Sequence, residues 1–171
     1  MANVKHGVVR TDLLDGTDVR AALVSIEYMG ADGETETEID NGNVLKVGML
    51  KEGEREIYVG SAPEADDELK DIVLIATPEV MYDERLRNLD DFYNEAGRPC
   101  RGYRLRHGNI FSVTKEALDG NEEPAVGDFV ELQADTKLNV ATSATQGSTV
   151  VGDIIAIDVV GRHTYYAIRV L

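Results

Sequence analysis

The sequence predicts a mainly β fold, with small β-barrel or sandwich lobes and a short helical or extended arm between them. Three observations carry this expectation. Short runs rich in Val, Ile, Tyr, Phe and Thr recur between clusters of Gly, Asn, Asp and Ser, the pattern of strands and turns. No long helical pattern separates those runs, which points to a barrel or sandwich and away from alternating strands and helices. The chain has 171 residues and is 43% apolar, which is enough to bury a core and too apolar for a disordered chain.

The first strand candidate is VRAALVSIEYMG (residues 19–30), which ends at a glycine turn. ADGETETEID (31–40) follows, with carboxylates at Asp32, Glu34, Glu36, Glu38 and Asp40. On a strand that period of two would place all five on one face. A solvated edge or loop is the expectation. Calcium is the sharper alternative, but the EF-hand spacing with its central Gly is absent. The Asn-Gly of DNGNVLKVGML (40–50) signals a tight hairpin turn. EREIYVG (54–60) and DIVLIATPE (71–79) are two further strands, and the acidic SAPEADDE (61–68) between them is an exposed loop.

PEVMYDERLRNLDDFYNEAG (78–97) is the one helical candidate. Leu86, Leu89, Tyr93 and Ala96 recur at steps of 3, 4 and 3, and Gly97 suits a helix end. The segment reads equally as an extended arm with one helical turn, started at Asn88 with Asp91 three residues on. Beyond it, GYRLRHG, NIFSVT, GDFVELQ, LNVATS, TVVGDIIAIDVVG and TYYAIRVL are short runs expected to close a second barrel. Val-Gly-Asp opens two of them, at Val126–Asp128 and Val151–Asp153. The last run is expected to pair within the sheet. The chain thus divides into an N-terminal β lobe (1–78), a connector (79–100) and a C-terminal β-barrel lobe (101–171), or the two lobes form one compact unit.

Charge narrows the function. The formal net charge is −15. Residues 1–80 carry net −11 and residues 107–171 carry net −5, whereas residues 81–106 carry net +1. So negative a body is repelled by phosphate backbones, which argues against nucleic acid as partner. No run approaches the ~20 apolar residues of a membrane-spanning helix, and the N-terminal residues lack the apolar core of a secretion signal. The single Cys100 forms no intramolecular disulfide and fits a reducing cytosol.

Catalytic signatures are absent. Cys100 and His107 lie seven residues apart, and a thiol nucleophile needs a base within hydrogen-bond reach. They could meet across a glycine turn, but no oxyanion-hole element or orienting group accompanies them. One Cys and three His give no zinc spacing, and no glycine-rich phosphate loop is present. Tyr165 and Tyr166 should face opposite sides of the last strand, one toward the core. The expectation is a protein that is not an enzyme and holds no cofactor or metal.

A binding surface remains, and the arginines mark it. Six of the 17 basic residues fall between Arg85 and Arg106, all of them Arg. Arg85, Arg87, Arg98, Arg101, Arg104 and Arg106 lie among Tyr82, Phe92, Tyr93 and Tyr103. Arg and aromatic residues are enriched in protein interfaces and Lys is depleted. In YRLR, alternation would set Arg104 and Arg106 on one face, and Tyr103 with Leu105 on the other. The candidate interface is Arg85, Arg98, Arg101, Tyr103, Arg104 and Arg106. The alternative is internal: the arginines neutralise the protein's own carboxylates.

ATPEVMYDERLRNLDDFYNEAGRPCRGYRLRHGNIFSVTKEAL, preceded by IDNGNVLKVGMLKEGEREIY and followed by VGDIIAIDVV and YYAIRVL, resembles the capsid decoration, or cementing, proteins of tailed bacteriophages. The resemblance covers nearly the whole chain, rests on turn and strand patterns, and brings no catalytic residue with it. It implies a β-rich virion protein, made in the host cytoplasm, that binds the outer surface of the assembled capsid. The implied partner is the major capsid protein, and the implied state a trimer. A tail or head–tail joining protein is one alternative, and a small cytosolic enzyme or accessory module another.

Overall fold

The protein is seen in a computed structural model that describes residues 6–11, 22–80 and 89–171. Its strands are β1 (Val9–Arg10), β2 (Leu23–Tyr28), β3 (Val44–Leu50), β4 (Ile57–Ser61), β5 (Ile72–Ile75), β6 (Cys100–Arg104), β7 (Ile110–Val113), β8 (Leu118–Gly120), β9 (Phe129–Glu131), β10 (Leu138–Ala141), β11 (Val150–Val160) and β12 (His163–Val170). The mainly β expectation holds. Five strands close a barrel in the order β2-β4-β3-β5-β6, and seven form a second sheet in the order β1-β7-β12-β11-β9-β10-β8.

The barrel explains why β5 reads as an unbroken apolar run. All four of its residues are buried. Val73 and Ile75 point inward with Val24, Ile26, Leu45 and Cys100. Ile72 and Leu74 point outward, into a larger core shared with the second sheet. A strand buried on both faces needs no polar alternation. The narrow bore also needs glycine. A Cβ on Gly102 would stand 2.8 Å from Val73 Cγ2, and one on Gly60 would stand 2.9 Å from Ile26 Cδ1 and Leu45 Cδ1. Both positions are strand glycines kept for want of space.

The shared core joins the two sheets. Val44, Ile72, Leu74, Ala76, Tyr103 and Leu105 from the barrel side pack with Phe111, Val113, Val130, Leu138, Ile154 and Ile168 from the sheet. Each Leu or Ile so buried stabilises by about 1.5–3 kcal/mol. At this junction Gly42, with φ 87°, brings its backbone so close that a Cβ would lie 2.9 Å from Ala117 Cβ.

Several expectations change at this point. The closed barrel is N-terminal, and the C-terminal strands form the seven-stranded sheet. β6, grouped by sequence with the C-terminal lobe, completes the barrel by pairing with β2 and β5. β1, from the N-terminal part, instead edges the other sheet through β7. The Asn-Gly at 41–42 forms a turn but no hairpin, because β3 pairs with β4 and β5. The side chains of Asn41 and Asn94 hold that turn: Asn94 Nδ2 donates to Asn41 Oδ1 at 3.1 Å, and Asn41 Nδ2 to the Thr77 carbonyl at 2.8 Å.

The acidic 31–40 stretch is the expected solvated loop: residues 31–35 are turn and bend, and Ile39 makes a single bridge to Asn94. Asp32 accepts from the Thr35 hydroxyl and from the Thr35 and Glu34 amides. These bonds draw its pKa down to about 2. The two Val-Gly-Asp runs differ: Gly127 is a turn residue with φ 97°, whereas Gly152 lies within β11. Of the helical candidate, Leu86 lies outside the described residues. The part that is described holds one 3-10 turn, Leu89–Asp91, then a single bridge from Asn94 to Ile39.

β12 lies mid-sheet between β7 and β11, so its residues do pair within the sheet. Tyr165 on it is buried and Tyr166 half-buried. The covering of Tyr165 includes the Arg10 guanidinium, 5.5 Å from its ring centre.

Candidate functional site

The arginine segment is divided by β6. Arg101 and Tyr103 alternate with Cys100 and Gly102, so they face outward from the barrel while the latter pair faces in. Tyr103 and Leu105 lie opposite Arg104 and Arg106 and fall in the shared core, although Tyr103 was a candidate for the interface; it is only 6% exposed. A ring held there packs the two sheets together. Arg104 is half-buried and donates from Nη1 to the Lys70 carbonyl at 2.9 Å, tying β6 to the 3-10 turn Leu69–Asp71. That arginine serves the fold. Arg85 and Arg87, with Tyr82, lie outside the described residues.

Three arginines remain on the surface. Arg98 sits in the turn before β6 and pairs with Glu95 at 2.8 Å, both side chains largely exposed. Such a pair contributes little, about 0.2–1 kcal/mol. Arg101 and Arg106 make no side-chain hydrogen bond or ion pair among the described residues. The Arg106 backbone closes a turn with Asn109, its amide donating to Asn109 Oδ1 at 3.0 Å. The internal-neutralisation reading therefore fits Arg98 and not Arg101 or Arg106.

Arg101 has the more shaped surroundings. Its amide donates to Thr77 Oγ1 at 3.0 Å, which fixes β6 against the Thr77-Pro78 segment. On one side lies a cleft of about 360 Å³ bounded by Leu23, Ser25, Pro78 and Pro99. On the other lies one of about 290 Å³ bounded by Val9, Thr11, Glu79 and Tyr103. A guanidinium between two small clefts can bind a carboxylate bidentately while apolar neighbours of that carboxylate lodge beside it. A third cleft, about 410 Å³, is lined by Asp32, Lys46, Glu64 and Asp67. Its ammonium is spoken for, since Lys46 Nζ meets Asp67 Oδ1 at 2.5 Å.

The rejected nucleophile is now explicit. Cys100 lies inside the barrel with its thiol donating to the Ile26 carbonyl at 3.1 Å. Burial pushes its pKa up to about 12, so thiolate is scarce near neutrality. His107 is exposed in the turn after β6. No group of three or more His, Cys, Asp or Glu that could hold a metal ion occurs among the described residues, and no described helix is long and apolar enough to cross a membrane.

One polar junction had no signal in the sequence. Asp90, on the turn Leu89–Asp91, is buried beside the β11–β12 hairpin. There it pairs with Arg162 Nη2, and His163 Nε2 lies 3.2 Å from Asp90 Oδ1, an oxygen that makes no hydrogen bond among the described residues. Its partners are 72 and 73 positions away, and no local spacing announces such a contact. Comparison with protein-family models, with curated proteins and with solved structures found no match.

Proposed function

We propose that this protein is a non-enzymatic structural binding protein of a phage virion, which decorates and stabilises the outer surface of the assembled capsid. The observation that carries the docking part of the reading is Arg101. It is an exposed guanidinium with no side-chain partner among the described residues, seated between two clefts on an otherwise strongly acidic body. Such a body has little affinity for packaged nucleic acid, and an arginine so placed suits carboxylates of a protein shell. The capsid as partner rests on the resemblance of the sequence to decoration proteins. Arg106 and Arg98 extend the docking surface, with Arg98 exchanging Glu95 for a shell carboxylate. The favoured assembly on the lattice is a trimer, a closed symmetric state.

The test uses Arg98→Ala, Arg101→Ala, Arg104→Ala and Arg106→Ala, each checked for folding and titrated onto undecorated shells at two salt concentrations. Arg101→Ala should weaken binding by about 2 kcal/mol, the loss of a central interface arginine. Arg98→Ala and Arg106→Ala should mainly slow association and flatten its salt dependence. Arg104→Ala should lower the melting temperature and leave the affinity of the folded molecule unchanged. Parent-like binding by all four sinks the docking surface. Failure of the parent itself to bind shells sinks the decoration reading.

A further inference from the structure

The β11–β12 hairpin extends past the sheet that anchors it. β9 pairs with β11 only from Val150 to Asp153, and the Gly127 and Asp128 backbones bond to Ile154. From Ala156 to Val160, β11 pairs with β12 alone. Its other edge has no strand partner among the described residues. This open edge is also the most apolar exposed strand among the described residues, with Ile157 39%, Val159 74% and Val160 53% exposed. An edge of unpaired backbone groups flanked by exposed β-branched side chains is a template for another strand.

Rigidity makes the template usable. Val160 pairs with His163 across a two-residue loop whose first position is Gly161 at φ 63°, a position that hairpin turns give to glycine. The base of the loop is pinned where Arg162 and His163 meet the buried Asp90. The edge is thus held in strand conformation before any partner arrives, which lowers the entropy cost of pairing.

Charge selects the occupant. Asp158 is exposed midway along the edge, between Ile157 and Val159, on a chain of net charge −15. A second copy is the poorer fit. Two-fold antiparallel pairing centred on this stretch sets Asp158 against or near its own copy and brings two strongly acidic bodies together. Few residues are available, so the pair would fall far short of the ~800 Å² per partner of a stable dimer. We propose that the outer edge of β11, Ala156 to Val160, binds an extended, basic-apolar segment of another protein by strand addition. Apolar residues of that segment would cover Ile157 and Val159, and a Lys or Arg would face Asp158. This inference does not depend on the arginine surface or on the decoration reading.

The test uses the full chain and two acetylated, amidated peptides, one alternating Val with Lys and one alternating Val with Glu. NMR titration should show the Lys peptide shifting the amides of residues 156–160, with the Glu peptide at least about threefold weaker. Val159→Lys, at an exposed position, should weaken the Lys peptide about tenfold. Asp158→Lys should invert the preference between the two peptides, whereas attraction to the whole acidic body would leave it unchanged and overturn the proposal. Full protection of all amides in 157–160 against hydrogen exchange in the isolated protein would also overturn it, since the edge would already be covered. So would concentration-dependent dimerisation abolished by Val159→Lys, which would assign the edge to a second copy.

Discussion

Cys100 shows how a single side chain can look reactive in a sequence and be inert in a fold. The strand alternation that turns Arg101 outward turns Cys100 into the barrel, where burial raises its pKa to about 12. The protonated thiol therefore favours the folded state. That contribution is complete below the ordinary thiol value of 9.0 and is lost as pH climbs toward about 12. A disulfide reagent at neutral pH should leave the native protein unmodified and react at once after unfolding in urea. Cys100→Ala should cost about 0.5–3 kcal/mol and lose part of the alkaline decline in stability. Rapid reaction of the native thiol would mean the barrel is open.

Among the elements, the turn Leu89–Asp91 is held by a distant partner. It is three residues long, too short to persist by itself. One anchor is Asp90, buried against Arg162 and His163 of the hairpin. Asp90→Ala should destabilise by about 1–3 kcal/mol, the cost of orphaning buried polar groups. Arg162→Ala should cost less, because the Arg162 side chain is half exposed. Urea denaturation of both variants and their double mutant measures the coupling, and an unperturbed Asp90→Ala protein would show that the turn is anchored elsewhere.

The same element marks the limit of what the sequence discloses. β2, β3, β4, β5 and most C-terminal strands were legible as short β-branched runs between turn residues, since strand character is a local property. The pairing was not. Which runs close a barrel is settled by contacts such as Ile26 with Cys100, and no local pattern distinguishes a β6 that returns to β2 from one that joins β7. β1 and β8, of two and three residues, carry too little pattern to be seen at all. At the candidate site, the alternation separated Tyr103 and Leu105 from Arg104 and Arg106 but gave no sign that the first two are buried. It could not foresee that Arg104 would meet the Lys70 carbonyl, or that Arg101 would lie between clefts built from β2 and the Thr77-Pro78 segment.

At the scale of the whole molecule, the core that joins both sheets should make unfolding one cooperative event. Calorimetry should give a single transition, and two separated transitions would mean the barrel and the sheet are independent. The net charge of −15 sets the response to salt. Mutual repulsion of surplus carboxylates opposes compaction, and screening relieves it within a Debye length of ~10 Å at 0.1 M. Added neutral salt should therefore raise the melting temperature, whereas a fold held mainly by its ion pairs would lose stability.

The closure of the barrel by β6 has a further consequence for how the chain matures on the ribosome. β2 to β5 are synthesised first, yet the ring they belong to stays incomplete until Arg104 has left the exit tunnel. During that interval Val24, Ile26, Val73 and Ile75 have no inner wall opposite them, and the free borders of β2 and β5 lie open to neighbouring nascent chains. Burial of apolar surface that waits on so distant a segment is slow to begin and exposed to aggregation while it waits. Translation speed between β5 and β6 then becomes a determinant of yield: a pause there prolongs the vulnerable state, and fast passage shortens it.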